Sequence, residues 1–366
     1  MTDIFDYLYW RGDISTRCAA FHELDGAILA RLAYLPFERI FPNGTEQPLP
    51  LTEAATRLLA VPDLEEQVTQ PADLRLLRTL LGCDRFCHAE LVGFTAQRDE
   101  ETQFSALALR LQAGELIVAF RGTDNTLVGW KEDFNMGFVC PVPAQELAVQ
   151  YLERTAAGCG DTLRLCGHSK GGNLAVYAAA ICTPAVQERI TSVYNYDGPG
   201  FDETVLARAG YRAVCGRVHT FVPQSSVVGM LLGHEEEYTI VHSERMGLMQ
   251  HDIYSWEVER DRFVHLETVT NSSRFIDYTL KAWIAGMDAQ QRERFVDAIY
   301  GIMKETNAQT LRELNENRLD SAKQVLRSIR GLDEQTRGDV THALGLLLRS
   351  TKVGFTQTRE VMKTAE

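Results

Sequence analysis

One short stretch limits what this chain can fold into more than any other. Leu163-Arg164-Leu165-Cys166 reads as a strand, and the small-residue run Asn173 to Ala180 reads as a helix. Between them lies Gly167-His168-Ser169-Lys170-Gly171-Gly172. A turn from strand to helix this tight leaves no room for Cβ atoms two positions before and two after its apex, so glycine is required there and the apex hydroxyl is presented outward. Ser169 is therefore the candidate nucleophile. The competing reading makes Ser169 a helix N-cap at a phosphate site, but the G-x-G-x-x-G and P-loop patterns of such sites are missing.

The rest of the chain supplies the sheet that this turn needs. Glu90 to Phe94, Phe104 to Leu111 and Glu115 to Phe120 read as successive strands, the last an apolar run suited to a buried position. Helix Ala144 to Ala157, the strand and helix around Ser169, strand Ser192 to Tyr196 and strand Arg217 to Val222 follow. Strands alternating with helices of this length predict a largely parallel sheet with right-handed crossovers. Residues 1–85 are expected to form a helical segment packed on the core, with helices over Phe21 to Leu35, Leu51 to Leu59 and Ala72 to Leu81. The core is expected over 86–284. A helical C-terminal extension over 285–366 carries Ala289 to Lys304, Thr310 to Ile329 and Glu334 to Ser350, and is a candidate surface for a second copy or a protein partner.

Charge and composition exclude several classes. With 37 basic and 50 acidic residues the net charge is -13, a field that repels nucleic acid and anionic lipid. The acidic start, Met1 to Asp6, does not resemble a secretory signal, and no apolar run of spanning length follows, so a cytoplasmic protein without a transmembrane segment is expected. Eight scattered cysteines match no metal spacing and read as reduced thiols; neither metal nor cofactor is called for.

Val118-Ala119-Phe120-Arg121-Gly122-Thr123, followed by Trp130 and Asp133, resembles the oxyanion strand of class 3 (fungal-type) lipases, and Gly-His-Ser-x-Gly-Gly resembles their nucleophile segment. Phe5-Asp6-Tyr7-Leu8, Trp10-Arg11-Gly12-Asp13, Ser169 to Ala175, Tyr196-Asp197-Gly198-Pro199-Gly200-Phe201 and Gln250-His251-Asp252 are together similar to the Mbeg1-like family (DUF2974), placed in the α/β-hydrolase superfamily. That likeness covers roughly residues 1–265 and implies an α/β-hydrolase fold. The lipase likeness implies an oxyanion hole from the amides of Thr123 and Lys170, with Trp130 and Asp133 as packing and turn-fixing groups.

A serine hydroxyl needs a histidine to accept its proton and a carboxylate to orient that imidazole, in the chain order Ser, acid, His. His22 and His88 come too early, His168 is the nucleophile's neighbour, His219 lies in a strand, and His265 and His342 fall late. Of His234, His242 and His251, the loop residue His251 is favoured and His234 comes next. The lipase-like acid position reads Val222-Pro223-Gln224-Ser225-Ser226-Val227, without a carboxylate. Asp197, 28 residues after Ser169, ends the preceding strand, where pancreatic-type lipases hold their acid; Asp252 is the reserve. Gln224, Ser225, Ser226 and Met230 are expected to line an acyl pocket. The function expected is ester hydrolysis through an acyl-enzyme. The rivals are a non-catalytic binding module that uses the helical tail, and an acyltransferase or thioesterase with the same nucleophile.

Overall fold

The computed structural model describes residues 2–42, 44, 47–99, 102–124, 135–136, 140–305 and 332–364. The chain forms two compact units. The first comprises Met1–Asp99, Gln103–Gly122 and Pro143–Val269, and the second Glu100–Thr102, Thr123–Val142 and Thr270–Glu366.

The first unit is built on a nine-stranded sheet. Its strands are β1 (Leu49–Pro50), β2 (Glu90–Arg98), β3 (Gln103–Gln112), β4 (Glu115–Phe120), β5 (Thr162–His168), β6 (Ile190–Tyr196), β7 (Val218–Pro223) and β8 (Tyr238–Val241), with β9 (Val258–Glu259) and β10 (Arg262–Phe263) forming a separate ribbon and β11 (His265–Leu266) completing the sheet beside β8. The five central strands, β4 to β8, run parallel, while β1 to β4 are joined antiparallel and β11 closes the far edge antiparallel. All six residues of β4 are buried, which is why Leu116 to Phe120 read as an unbroken apolar run rather than an alternation, with Glu115 paired to Arg164 at its start. This is an α/β-hydrolase fold.

Helices cover both faces of the parallel strands. Side chains alternate across a strand, and Ile117, Ala119, Cys166, Tyr194, Tyr196 and Phe221 share a core with the N-terminal helices, α1 (Ile4–Arg11), α2 (Glu23–Leu32), α3 (Leu51–Leu59) and α4 (Pro71–Leu80). The other face takes the crossover helices α5 (Pro143–Ala157), α6 (Lys170–Ile181) and α7 (Ala209–Cys215). The N-terminal helices carry their own caps, the Asp3/Asp6 capping box on α1 and the His22/Asp25 pair on α2. They also bury two ion pairs, Arg31 with Asp73 and Arg85 with Asp25.

The second unit has a separate apolar core of Trp283, Met287, Phe295, Val296, Ala298, Val340 and Ala343. It contains α8 (Asn271–Ala285), α9 (Ala289–Glu305) and α10 (Glu334–Thr364). Trp283 Nε1 donates to the carbonyl of Ala343 at 2.8 Å, and Arg294 pairs with Asp339 at 2.6 Å. The helix expected over Thr310 to Ile329 lies outside the described residues. Among those residues no helix is long and apolar enough to cross a membrane.

Candidate active site

Strand β5 delivers Ser169 in a conformation that ordinary residues avoid. Its φ of 59° and ψ of -133° place it at the sharp point between β5 and α6. A Cβ on Gly167 would stand 2.0 Å from the carbonyl oxygen of Gly171, and one on Gly171 would stand 2.1 Å from that of Phe120. Both glycines are therefore sterically compulsory. The turn is braced by Ser169 N–H donating to the carbonyl of Tyr196 at 2.9 Å and Gly172 N–H to that of Ser169 at 2.8 Å. Lys170 begins α6 with its side chain fully inside the protein, where Nζ donates to the carbonyl of Gln103 at 2.8 Å.

Asp197 follows directly on the neighbouring strand β6, also at positive φ, 50°. Its own N–H donates to the carbonyl of Phe221 at 2.8 Å, fixing it beside β7. The carboxylate is 1% exposed and accepts from three directions. Oδ1 takes Ser226 Oγ–H at 2.5 Å and Gly229 N–H at 3.1 Å, and Oδ2 lies 2.7 Å from His251 Nδ1. A carboxylate oxygen accepts, so Nδ1 bears the hydrogen and Nε2 keeps its lone pair. Among the described residues neither His251 Nε2 nor Ser169 Oγ makes a hydrogen bond. The His251 loop is tied down by its neighbours: Gln250 accepts from Ser225 N–H at 2.8 Å through its side chain and from Trp256 Nε1 at 2.8 Å through its carbonyl.

The alternative histidines are engaged differently. His234 faces Glu236 through Nδ1 at 2.9 Å and the carbonyl of Gly229 through Nε2 at 2.8 Å, so no ring nitrogen is left to receive a proton. Burial pushes the Glu236 carboxyl up, but the hydrogen bond and charge of His234, with hydrogen bonds from Tyr211 and Thr220, outweigh it and hold the group down at about 2. His242 pairs with Glu257 at 2.6 Å, and His219 stands exposed on β7. Asp252 caps the following turn through Tyr254 N–H and pairs with Arg245 at 2.7 Å.

The remaining candidates are scattered over different tasks. Gln224 exchanges two hydrogen bonds with the backbone of Ser243, at 2.8 and 2.7 Å. Ser225 binds Gln250 through its amide, Met230 is half-buried, and Ser226 is buried with its hydroxyl on Asp197. Thr123 falls in the second unit, and Trp130 and Asp133 lie outside the described residues. The sequence reading did not anticipate Gly229 or Ser226 as partners of the acid, nor a task for the His168 side chain. The only local signal was the turn-like Ser225-Ser226-Val227-Val228-Gly229 run.

The profile of the Mbeg1-like family matches residues 82–301, more than half of the chain. The chain belongs to the Mbeg1-like family. A comparison with curated proteins finds no match for it. Among solved structures, this Mbeg1-like protein is similar to one titled "Crystal structure of M37 lipase", at 15% identity and a TM-score of 0.38, over 57% of this chain and 70% of that one. A likeness that loose says nothing about chemistry. The N-terminal helices precede the stretch that the family profile matches.

Proposed function

We propose that this Mbeg1-like protein is a serine hydrolase of carboxylic esters, working through an acyl-enzyme on Ser169. The observation that carries the reading is the 2.7 Å contact between His251 Nδ1 and an Asp197 carboxylate that is otherwise saturated by two donors. That arrangement fixes one ring nitrogen and leaves the other to accept a proton.

In the proposed reaction Ser169 Oγ attacks the ester carbonyl carbon and its proton passes to His251 Nε2. The tetrahedral intermediate collapses, and the alkoxide leaves with the proton from Nε2. Water then attacks the acyl-enzyme and gives a proton to Nε2; the second tetrahedral intermediate collapses, releasing the acid, and Nε2 returns the proton to Ser169 Oγ. Asp197 holds the imidazole and offsets its positive charge. The amide of Lys170, in the first turn of α6 at the positive end of its dipole, is assigned to the oxyanion. Thr123, read from the sequence as the second donor, belongs to the second unit and is not built into this reading. Gln224 and Ser225 keep their assignment to the substrate side, whereas Ser226 is reassigned to orienting the acid. Val227, Val228, Met230, Leu231 and Leu232 are half-buried on the segment that binds Asp197, which supports an acyl-chain wall with Met230 in it. We place the reaction in the cytoplasm. Eight free thiols support a reducing compartment, with Cys83, Cys166 and Cys182 pushed up in pKa by burial.

The test is covalent labelling with a fluorophosphonate, followed by peptide mapping. Label is expected on Ser169 and absent from Ser169→Ala. A folded protein that takes no label there, and turns over no ester of any chain length, is not a serine esterase.

A further inference from the structure

His251 is held by more than Asp197. The imidazole of His168 lies against it, with ring centroids 4.6 Å apart and planes at 33°, and His168 Nε2 is 2.7 Å from the carbonyl oxygen of His251. A carbonyl only accepts, so Nε2 carries the hydrogen. In a neutral ring Nδ1 must then accept, and the hydroxyl of Tyr34 stands 3.1 Å from it. The Tyr34 ring sits 4.1 Å beneath the Arg31 guanidinium. Arg31 Nη2 reaches both oxygens of Asp73, at 2.6 and 2.8 Å, and Tyr254 OH donates to Asp73 Oδ1 at 2.7 Å. Tyr254 is three residues past His251. The chain of contacts therefore leaves the His251 carbonyl, crosses α2 and α4, and returns to the same loop.

Packing alone does not call for such a set. Arg31, Asp73, Tyr34 and His168 are each at most 4% exposed, and apolar residues of similar volume would fill that space without burying charge. What polar groups add is direction. The Asp197 contact fixes the rotation of the His251 ring but not its backbone, and the carbonyl contact supplies what is missing.

Resting on the reading of His251 as the base, we infer that His168 and Tyr34 are positioning residues, through which the N-terminal helices fix the backbone of the His251 loop. Arg31 and Asp73 anchor them. Burial, then the neighbouring His251 and Arg31, hold the His168 imidazole well below its usual range. It therefore stays uncharged beside His251 when that ring takes the serine proton. Arg31, Tyr34 and Asp73 all precede residue 82, where the family match begins.

The experiment compares the full-length wild type with His168→Leu, His168→Gln and Tyr34→Phe, by steady-state ester hydrolysis and by the rate of fluorophosphonate labelling. His168→Leu is expected to lose kcat by about tenfold to a hundredfold with KM little changed, as a loosened base does. His168→Gln, whose amide N–H can occupy the place of Nε2–H, is expected to recover most of that loss. Tyr34→Phe removes one oxygen and is expected to lower kcat by several-fold, so it carries the test if His168→Leu does not fold. Wild-type kcat in folded Tyr34→Phe and His168→Gln together with His168→Leu, or a change confined to KM, overturns the inference. A wild type that itself shows no Ser169-dependent labelling overturns both the inference and the reading beneath it, and is distinguishable because the variants are then irrelevant.

Discussion

Of the histidine–carboxylate pairs in the first unit, two are built alike on one side and differ on the other. His251 with Asp197 and His234 with Glu236 each join an imidazole Nδ1 to a buried carboxylate, at 2.7 and 2.9 Å. The difference lies at the other nitrogen. Nε2 of His234 is taken by the Gly229 carbonyl, whereas Nε2 of His251 makes no hydrogen bond among the described residues. The carboxylates differ in the same sense, since Glu236 is further tied to Tyr211 and Thr220 while Asp197 is held by the turn at Ser226 and Gly229. One pair is braced on every side and the other is braced on all sides but one. A hydrogen-bonding inventory thus separates a fully engaged imidazole from one with an open nitrogen among the described residues, where proximity to an acid does not. The two are also connected: Gly229 donates to Asp197 and accepts from His234, so the braced pair holds the turn that holds the acid.

The sharpest way to break the comparison is to neutralise each carboxylate in turn. Asp197→Asn should lower kcat by about ten-thousandfold, the scale expected when a base loses the group that sets its tautomer. Thermal melting should still report a folded protein. Ester turnover that survives in Asp197→Asn would remove the acid from this residue.

Glu236→Gln should do the reverse. It leaves His234 facing a neutral partner inside the protein, and stability should drop by about 1–3 kcal/mol, with kcat changed only modestly. Urea unfolding and steady-state kinetics on one preparation separate the two effects. A kcat loss as large as that of Asp197→Asn, without loss of stability, would make Glu236 part of the reaction.

The pH dependence follows from the same residue. The folded Glu236 carboxyl lies at about 2, below its ordinary 4.5. The stability it contributes is therefore fully present above 4.5 and is lost as pH falls from there towards 2. A glutamine side chain has nothing to titrate, so the stability gap between wild type and Glu236→Gln should narrow across that window. Equal gaps in urea melts at pH 5 and pH 3 would show that the pair does not carry this linkage.

How much of this was legible depends on how local the constraint is. The turn at Ser169 was readable because steric demand is written within a few residues, as glycine at 167 and 171. Strands β2 to β7 were readable from period and composition, and the carboxylate directly after β6 was visible in Tyr196-Asp197-Gly198. The contacts that bind the site were not, because they join residues with no local signature. Tyr34 meets His168 across 134 positions and Ser226 meets Asp197 across 29. Arg31 and Asp73 are charged residues within helical patterns that carry no local mark of burial, yet both are buried against each other. Nor does the sequence texture announce that the C-terminal segment of the second unit starts at Thr270, just before α8.

The smallest expected effect probes the seam between the two pairs. Ser226 Oγ is one of three donors to the Asp197 carboxylate and also accepts from Gly229 N–H at 3.1 Å. Ser226→Ala removes that donor but leaves the Gly229 amide and His251 in place, so the carboxylate keeps two of its three partners. The loss of one hydrogen bond to a charged group, about 1.5–3 kcal/mol at most, bounds the drop in kcat at roughly tenfold to a hundredfold, and the surviving partners put the expected value near the lower figure. Because Ser226 touches the acid and is 2% exposed, KM should stay at its wild-type value. A variant in which KM rises for long-chain esters while kcat is preserved would return Ser226 to the substrate pocket and leave the Gly229 amide to hold the Asp197 carboxylate beside His251.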